Sequence, residues 1–346
     1  MPTDIAHLEK LLSEARDIVI ISHFNPDGDA VGSVTAAYHY LKMRGKNPRI
    51  ILPSTYPGNM SFLEPEDPAD RIVICEREQG KALGLVSGAD LLVCLDLNRL
   101  SRTEYLEDAI LSSSAPRILF DHHIAAELDR FDLAISDIKV SSTCELLFRT
   151  LLQLPDIASD SGRIPLKCAE SLYVGMMTDT NNFSNSVFPG TFDMAAKLIA
   201  RGVDKDGLQE KVLCCYSVSR TRLMGHMIKD SMKVIPRHHA AYMLLSNRDK
   251  KRYDFQPGDS EGFVNLPLAI AGIEISALFT EDSEGRYIRV SLRSKSKVNV
   301  NRLAVRYFNG GGHRNASGGR LYIPLEEVPA YFEKALDEYS DEEKFS

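Results

Sequence analysis

Short apolar runs rich in β-branched residues recur through the first half of this chain, each followed by a helical pattern. Ile18-Val19-Ile20-Ile21, Leu91-Leu92-Val93-Cys94-Leu95 and Ile118-Leu119-Phe120 carry no polar residue on either face. Strands of that kind must be covered on both sides, which a parallel sheet clothed by helices provides. Further strands are expected at Arg49 to Leu52 and Arg71 to Cys75. Helices are expected at Ala30 to Arg44 (closed by Gly45), Arg102 to Leu111, Ser142 to Leu154, Leu166 to Met177 and Phe192 to Ala200. The fold class is therefore α/β, with a doubly wound, mainly parallel sheet over residues 1–200.

The texture then changes. Residues 201–231 read as a helical connector, with a helix from Ser219 to Lys229. Alternating strands follow at Met232 to Ile235, Ala241 to Leu245, Ile273 to Thr280, Tyr287 to Ser291 and Leu321 to Ile323. Helices at Asn301 to Phe308 and Leu325 to Tyr339 complete a smaller α+β domain over 232–346. A chain of 346 residues is long enough for two such cores.

No run of eighteen apolar residues occurs, and Asp4 and Glu9 interrupt the start of the chain, so a soluble, cytoplasmic protein with no membrane association is expected. The six cysteines form no C-x-x-C pair and sit mostly in apolar runs, which reads as buried thiols. Net charge is −7, yet residues 286–320 hold nine Lys or Arg and no Asp or Glu. The average field repels long polyanions, while the local basic segment suits small anions captured at close range.

In open α/β sheets, ligands bind beyond the carboxyl ends of the strands. Here His23, Asp27 and Asp29 follow the first strand, Asp96 follows Leu91 to Leu95, and Asp121-His122-His123 follows Ile118 to Phe120. Asp179 closes the helix ending in Met177-Thr178. A lone Asp after a strand usually caps a helix, and Asp29 could cap the one beginning at Ala30 as well as bind a metal. His7, His39, His226 and His238-His239 are read as ordinary surface or hydrogen-bonded side chains. Carboxylates and imidazoles recurring at one sheet edge from four segments are harder to explain without a metal. An oxygen-rich set without thiolates suits Mn²⁺ or Mg²⁺, and the imidazoles favour Mn²⁺. Four converging negative charges are balanced by two divalent ions, roughly 3.5–4 Å apart in two-metal phosphoesterases.

His23-Phe24-Asn25-Pro26-Asp27-Gly28-Asp29-Ala30-Val31-Gly32-Ser33, Asp96, Asp121-His122-His123 and Met177-Thr178-Asp179-Thr180 resemble motifs I to IV of the DHH phosphoesterase superfamily. Gly310-Gly311-Gly312-His313-Arg314-Asn315-Ala316-Ser317-Gly318-Gly319 resembles the signature of its companion DHHA1 domain. The resemblance covers nearly the whole chain and lies nearest the oligoribonuclease (nano-RNase) and pAp phosphatase branch. It implies one metal held by His23, Asp27 and Asp96, and a second by Asp29, Asp96, His122 and Asp179, with Asp96 bridging. It implies Mn²⁺ in both positions, with Mg²⁺ or Co²⁺ as substitutes, and attack on phosphorus by hydroxide. Asp121 is expected to orient His122 by hydrogen bonding, and His123 to face the phosphate. Thr180-Asn181-Asn182-Phe183-Ser184 departs from many relatives, which carry Gly and Arg there.

The glycine-rich segment fits neither a P-loop nor a dinucleotide fingerprint. With Arg293 and Ser294 before it and His313 and Arg314 after, Gly311 and Gly312 are expected to present backbone N–H groups to a phosphate. Asn315 or Ser317 could add hydrogen bonds. The expected activity is hydrolysis of very short oligoribonucleotides to mononucleotides and of 3′-phosphoadenosine 5′-phosphate (pAp) to AMP. The active site is expected in the cleft between the two domains, and the superfamily admits a homodimer. Competing readings are a soluble phosphodiesterase for cyclic dinucleotides or pApA, a family II pyrophosphatase, a RecJ-type exonuclease, and a nucleotide sensor without catalysis.

Overall fold

The computed structural model of the protein describes residues 2–295 and 297–343. The chain divides between Cys215 and Tyr216 into two compact units.

In the first unit, strands β1 (Asp17–Ile21), β2 (Asn47–Leu52), β3 (Val73–Ile74), β4 (Leu91–Leu95), β5 (Arg117–Asp121) and β6 (Leu133–Ser136) form one sheet in the order β3-β2-β1-β4-β5-β6. Every pairing is parallel. Its helices are α1 (Pro2–Glu14), α2 (Gly28–Met43), α3 (Gln79–Ser87), α4 (Glu107–Ser112), α5 (Thr143–Leu151), α6 (Leu166–Asp179), α7 (Pro189–Arg201) and α8 (Lys205–Leu213). Strand residues alternate between two cores: Ile18 and Ile20 pack with α2, α5 and α6, whereas Val19 and Ile21 pack with α3 and α4. This is the doubly wound sheet expected from the unbroken apolar runs. Its topological switch lies between β1 and β4, where the chain turns from building outward on one side to building outward on the other.

Helix α2 is buried on almost every side, since it lies between the sheet and α5 and α6. Its approach to α6 is close enough to exclude side chains at the crossing. A Cβ on Gly32 would lie 2.7 Å from the Ser171 carbonyl oxygen, and one on Gly175 would strike the Cys144 thiol.

The second unit contains α9 (Val218–His226), β7 (Lys233–Ile235), β8 (Ala240–Leu245), α10 (Asn247–Arg252), β9 (Ile275–Glu281), β10 (Ile288–Ser294), α11 (Val300–Tyr307), β11 (Gly311–Gly312), β12 (Ala316–Leu321) and α12 (Val328–Glu343). The strands form a mixed sheet in the order β11-β12-β10-β9-β8-β7, with β8 and β9 parallel and the other pairs antiparallel. Helices α11 and α12 cover one face through Leu303, Phe332 and Leu336. Leu223 and Met227 pack with Met243 and Leu278 on the other.

Several elements differ from expectation. The helix expected at Arg102 to Leu111 is broken: a 3₁₀ stretch, Leu100–Leu106, precedes α4 and is itself kinked at Glu104, whose φ is 46°. The strand expected at Leu321 to Ile323 begins earlier, at Ala316, because Gly318 and Gly319 read as loop residues but admit the close approach of neighbouring backbone. Helices α1, α3 and α10 and strands β6 and β11 have no counterpart among the expected elements, and α8 falls in the stretch read as a helical connector. Cys75, Cys94, Cys144 and Cys168 are buried, but Cys214 and Cys215 are exposed where α8 ends. No helix among the described residues is long and apolar enough to cross a membrane.

Candidate metal centre

His23 lies two residues beyond β1, Asp96 directly after β4, and Asp121 ends β5, with His122 and His123 following. Strands β1 and β4 flank the topological switch and β5 lies next to β4, so all three sets reach the same carboxyl edge. Asp179 arrives as the last residue of α6, which packs on α2.

Asp27 and Asp29 divide the work at the start of α2. The Asp27 carboxylate is the N-cap, accepting hydrogen bonds from the backbone N–H groups of Asp29 (3.0 Å) and Ala30 (3.1 Å). The expectation that Asp29 could cap this helix is thereby corrected. Asp29 lies inside the first turn, buried, and accepts instead from the backbone N–H groups of Thr143 (2.7 Å) and Cys144 (3.0 Å). Those are the first two amides of α5, unpaired within their own helix and at its positive end.

Asp96 is held in a left-handed backbone conformation, φ 60°, at a cost of about 1–2 kcal/mol for a residue with a Cβ. Its buried carboxylate accepts from the Thr143 hydroxyl at 3.0 Å and lies 3.5 Å from His23 Nε2 and 3.7 Å from His122 Nε2. His122 Nε2 is also 3.4 Å from Asp179 Oδ2 and 3.9 Å from Asp29 Oδ2. His23 Nδ1 is 2.8 Å from the Phe24 carbonyl oxygen, which can only accept, so Nδ1 carries a proton and Nε2 is the ring atom presented to Asp96.

Among the described residues three groups of potential ligand atoms result, each with its members within 4.8 Å of one another: His23, Asp27 and Asp96; Asp29, His122 and Asp179; and Asp96, His122 and His123. The structure thus brings together all six residues expected to bind metal. Asp121 behaves differently from expectation. It accepts from the His123 backbone N–H at 3.0 Å and lies 2.8 Å from His123 Nδ1, and it makes no hydrogen bond to His122 among the described residues. A carboxylate naturally reaches the N–H two residues ahead, and that turn carries the His123 ring to it.

The electrostatics match this arrangement. Burial, then the charges of Asp96 and Asp27, push the Asp29 carboxyl well above the usual range. Burial, then the charges of Asp29, Asp27 and Asp96, do the same to Asp179. For Asp96 burial acts in the same direction, but the His23 hydrogen bond and the charges of His123, His23 and His122 outweigh it and hold the carboxyl low. Two of four clustered carboxylates are thus costly to ionise without added positive charge. The donor set, hard oxygens with two imidazoles and no coordinating thiolate, fits divalent cations of the Mn²⁺ or Mg²⁺ kind.

In the second unit, much of the glycine-rich segment serves its own geometry. Gly311 pairs with Gly318 and Gly312 with Ser317, and a Cβ on Gly312 (φ 139°) would lie 2.7 Å from the Ala316 carbonyl oxygen. Asn315 donates to Ser294 Oγ (2.9 Å) and to the Lys295 (2.9 Å) and Val298 (3.0 Å) carbonyls. Ser294 Oγ donates to Val298 O, and Ser317 Oγ to His313 O. These three polar side chains are engaged in holding the loop rather than pointing at a ligand. Arg314 Nη2 donates to the Lys297 carbonyl at 3.2 Å. Arg293 is half-buried on β10, desolvation lowers its guanidinium pKa, and no carboxylate pairs with it among the described residues.

The residues missed in the sequence are Thr143 and Cys144, whose amides clamp Asp29. Ser142-Thr143-Cys144-Glu145 carries the S-x-x-E signal of a helix start, but nothing in it shows that the start abuts Asp29.

A parallel sheet with His and Asp donors gathered at its switch point, followed by a mixed-sheet unit, defines a DHH phosphoesterase with a DHHA1 domain. Family models agree: the DHH family, N-terminal domain, matches residues 17–176, and the DHHA1 domain matches residues 239–341. The chain belongs to the DHH family. At 39% identity and a TM-score of 0.92, it resembles the crystal structure of an exopolyphosphatase-related protein from Bacteroides fragilis, covering 98% of this chain and 97% of that one. It is 27% identical to the probable bifunctional oligoribonuclease and PAP phosphatase NrnA of Streptococcus mutans, over 91% of this chain and 93% of that protein. It is 25% identical to the cyclic-di-AMP phosphodiesterase GdpP of Geobacillus thermodenitrificans, over 97% of this chain and 49% of that protein.

Proposed function

We propose that this phosphoesterase is a Mn²⁺-dependent hydrolase of very short oligoribonucleotides and of pAp. The observation that carries the metal-dependent chemistry is the Asp96 carboxylate, shared between a group with His23 and Asp27 and a group with His122 and His123. His23, Asp27 and Asp96 would hold one ion, and Asp29, Asp96, His122 and Asp179 the other. Two bound divalent ions supply an activated water and offset charge gathering on the phosphoryl oxygens.

The chain's own residues do the rest. Thr143 and the α5 amides hold Asp96 and Asp29 in place. Asp121 fixes the ring of His123, raising its pKa against the effect of burial, so that the imidazole can carry a proton beside a phosphate. Arg293, His313, Arg314 and the Gly311-Gly312 backbone would contact a substrate phosphate. An Arg without a carboxylate partner, within a segment of nine cations and no acids, supports that assignment. The likeness to NrnA along nine-tenths of both chains supports short RNA and pAp as substrates. The likeness to GdpP supports a second reading, hydrolysis of cyclic di-AMP or its linear product.

The test incubates the full chain with pAp, short oligoribonucleotides, pApA, cyclic di-AMP, pyrophosphate and polyphosphate, with and without Mn²⁺. Turnover of pAp and short RNA that needs Mn²⁺ is the expected result, and Asp96→Ala should abolish it. Turnover of cyclic di-AMP or pApA alone would favour the second reading. Activity confined to pyrophosphate or polyphosphate would overturn both.

A further inference from the structure

Directly after Asp179 the chain enters an unusual turn. Asn181, Asn182 and Phe183 are consecutively left-handed, with φ of 46°, 53° and 65°. Asn tolerates this conformation, but Phe pays for its Cβ. The turn is pinned back onto α6 by the Asn182 N–H on the Met177 carbonyl (2.8 Å) and by the Phe183 N–H on the Thr180 hydroxyl (3.0 Å). Its result is specific. The backbone N–H groups of Asn181 and Asn182 are taken up by the Thr178 (3.0 Å) and Met177 (2.8 Å) carbonyls, whereas their side-chain amides are exposed and make no hydrogen bond among the described residues. The Phe183 ring stacks on Phe192 of α7, with centroids 5.7 Å apart and planes at 12°. Phe192 is 57% exposed, so its ring is stacked on one side and largely open to solvent.

Two ties keep this group beside the metal centre. Asn181 follows Asp179 by two residues, so their Cα atoms are within about 7.6 Å. Thr191, the neighbour of Phe192, donates to Glu145 at 2.7 Å, and Glu145 sits two residues after Thr143 on the helix that clamps Asp29. A hydrophobic core has no use for an exposed, half-stacked Phe or for two free amides. A flat aromatic ligand with hydrogen-bonding edges uses both.

We propose that Phe192, with the side-chain amides of Asn181 and Asn182, forms a shelf that binds a nucleobase of the substrate beside Asp179. The ring supplies stacking, which is tolerant of base identity, and the amides pair with donors and acceptors on the base edge. This rests on the reading of the protein as a nucleotide hydrolase and adds where the base is held.

The test measures binding to the metal-free full chain by titration calorimetry, using a diribonucleotide and an abasic analogue with the same phosphates. Phe192→Leu removes an exposed ring and should leave the melting temperature unchanged. It is expected to weaken the diribonucleotide about 5- to 50-fold while leaving the abasic analogue unaffected. Asn182→Asp, which exchanges a donor for an acceptor, should shift preference among bases. If the wild-type chain binds both ligands equally, or if Phe192→Leu weakens them equally or not at all, the shelf is wrong. If the base-dependent loss is seen but no nucleotide is hydrolysed with Mn²⁺, the shelf stands and the proposed activity fails.

Discussion

The hydroxyl of Thr143 donates a 3.0 Å hydrogen bond to Oδ1 of Asp96, while the N–H of the same residue holds Asp29 at 2.7 Å. One residue at the start of α5 thus fixes carboxylates delivered by two separate strand ends. Thr143→Val keeps the amide and the shape and removes only the hydroxyl. Mn²⁺ affinity is expected to fall about 10- to 100-fold, with Thr143→Ser near wild type. Calorimetric titration with Mn²⁺ measures it, and equal affinity for all three proteins would refute the role.

His123 depends on Asp121 for its orientation. In Asp121→Asn the ring loses its charged partner while the backbone turn remains available. The kcat on the best substrate should drop about 10- to 100-fold, with Mn²⁺ binding at the other ligands retained. A loss confined to Mn²⁺ affinity would instead make Asp121 a support for the metal site alone.

Gly175 lies where α6 meets both α2 and the metal centre. A Cβ there would press on the Cys144 thiol and lie 2.8 Å from Asp29 Oδ1. Gly175→Ala should cost about 3 kcal/mol in urea unfolding and weaken Mn²⁺ binding as well. Gly84→Ala, on α3 with nothing within 4 Å, is the control, expected to gain about 1 kcal/mol. A neutral Gly175→Ala would contradict the close packing.

Burial, aided by the charge of Lys167, lowers the pKa of His39 to about 4 from 6.5. The folded chain therefore keeps this ring neutral where the unfolded chain takes up a proton. Its contribution to stability is intact above about pH 6.5 and is lost as pH falls toward 4, by on the order of 2 kcal/mol for a half-buried ring. Urea midpoints between pH 4 and 7 should decline less steeply on the acid side in His39→Gln. Identical slopes would exclude His39 as the cause.

Much of the candidate site was legible before the fold was known. Asp27, Asp29, Asp96 and His122 could be marked because strand ends are predictable from apolar runs, and parallel sheets gather their ligands there, while Asp179 could be marked at the close of a helical pattern. Partnerships were less legible. Asp121 was expected to hold His122 but holds His123, and Asn315 and Ser317 turned inward to support their loop. Hydrogen-bond partners depend on side-chain direction, which motif spacing does not specify.

The division follows from the range of the forces. Apolar periodicity is local and collective, so the amino-acid order alone determined a parallel sheet and which residues stand at its carboxyl edge. The clamp of Thr143 and Cys144 on Asp29 joins residues more than a hundred positions apart. So does the glycine contact that lets α6 close on α2. Such contacts exist only once packing has brought the elements together, and the tertiary structure alone decided them.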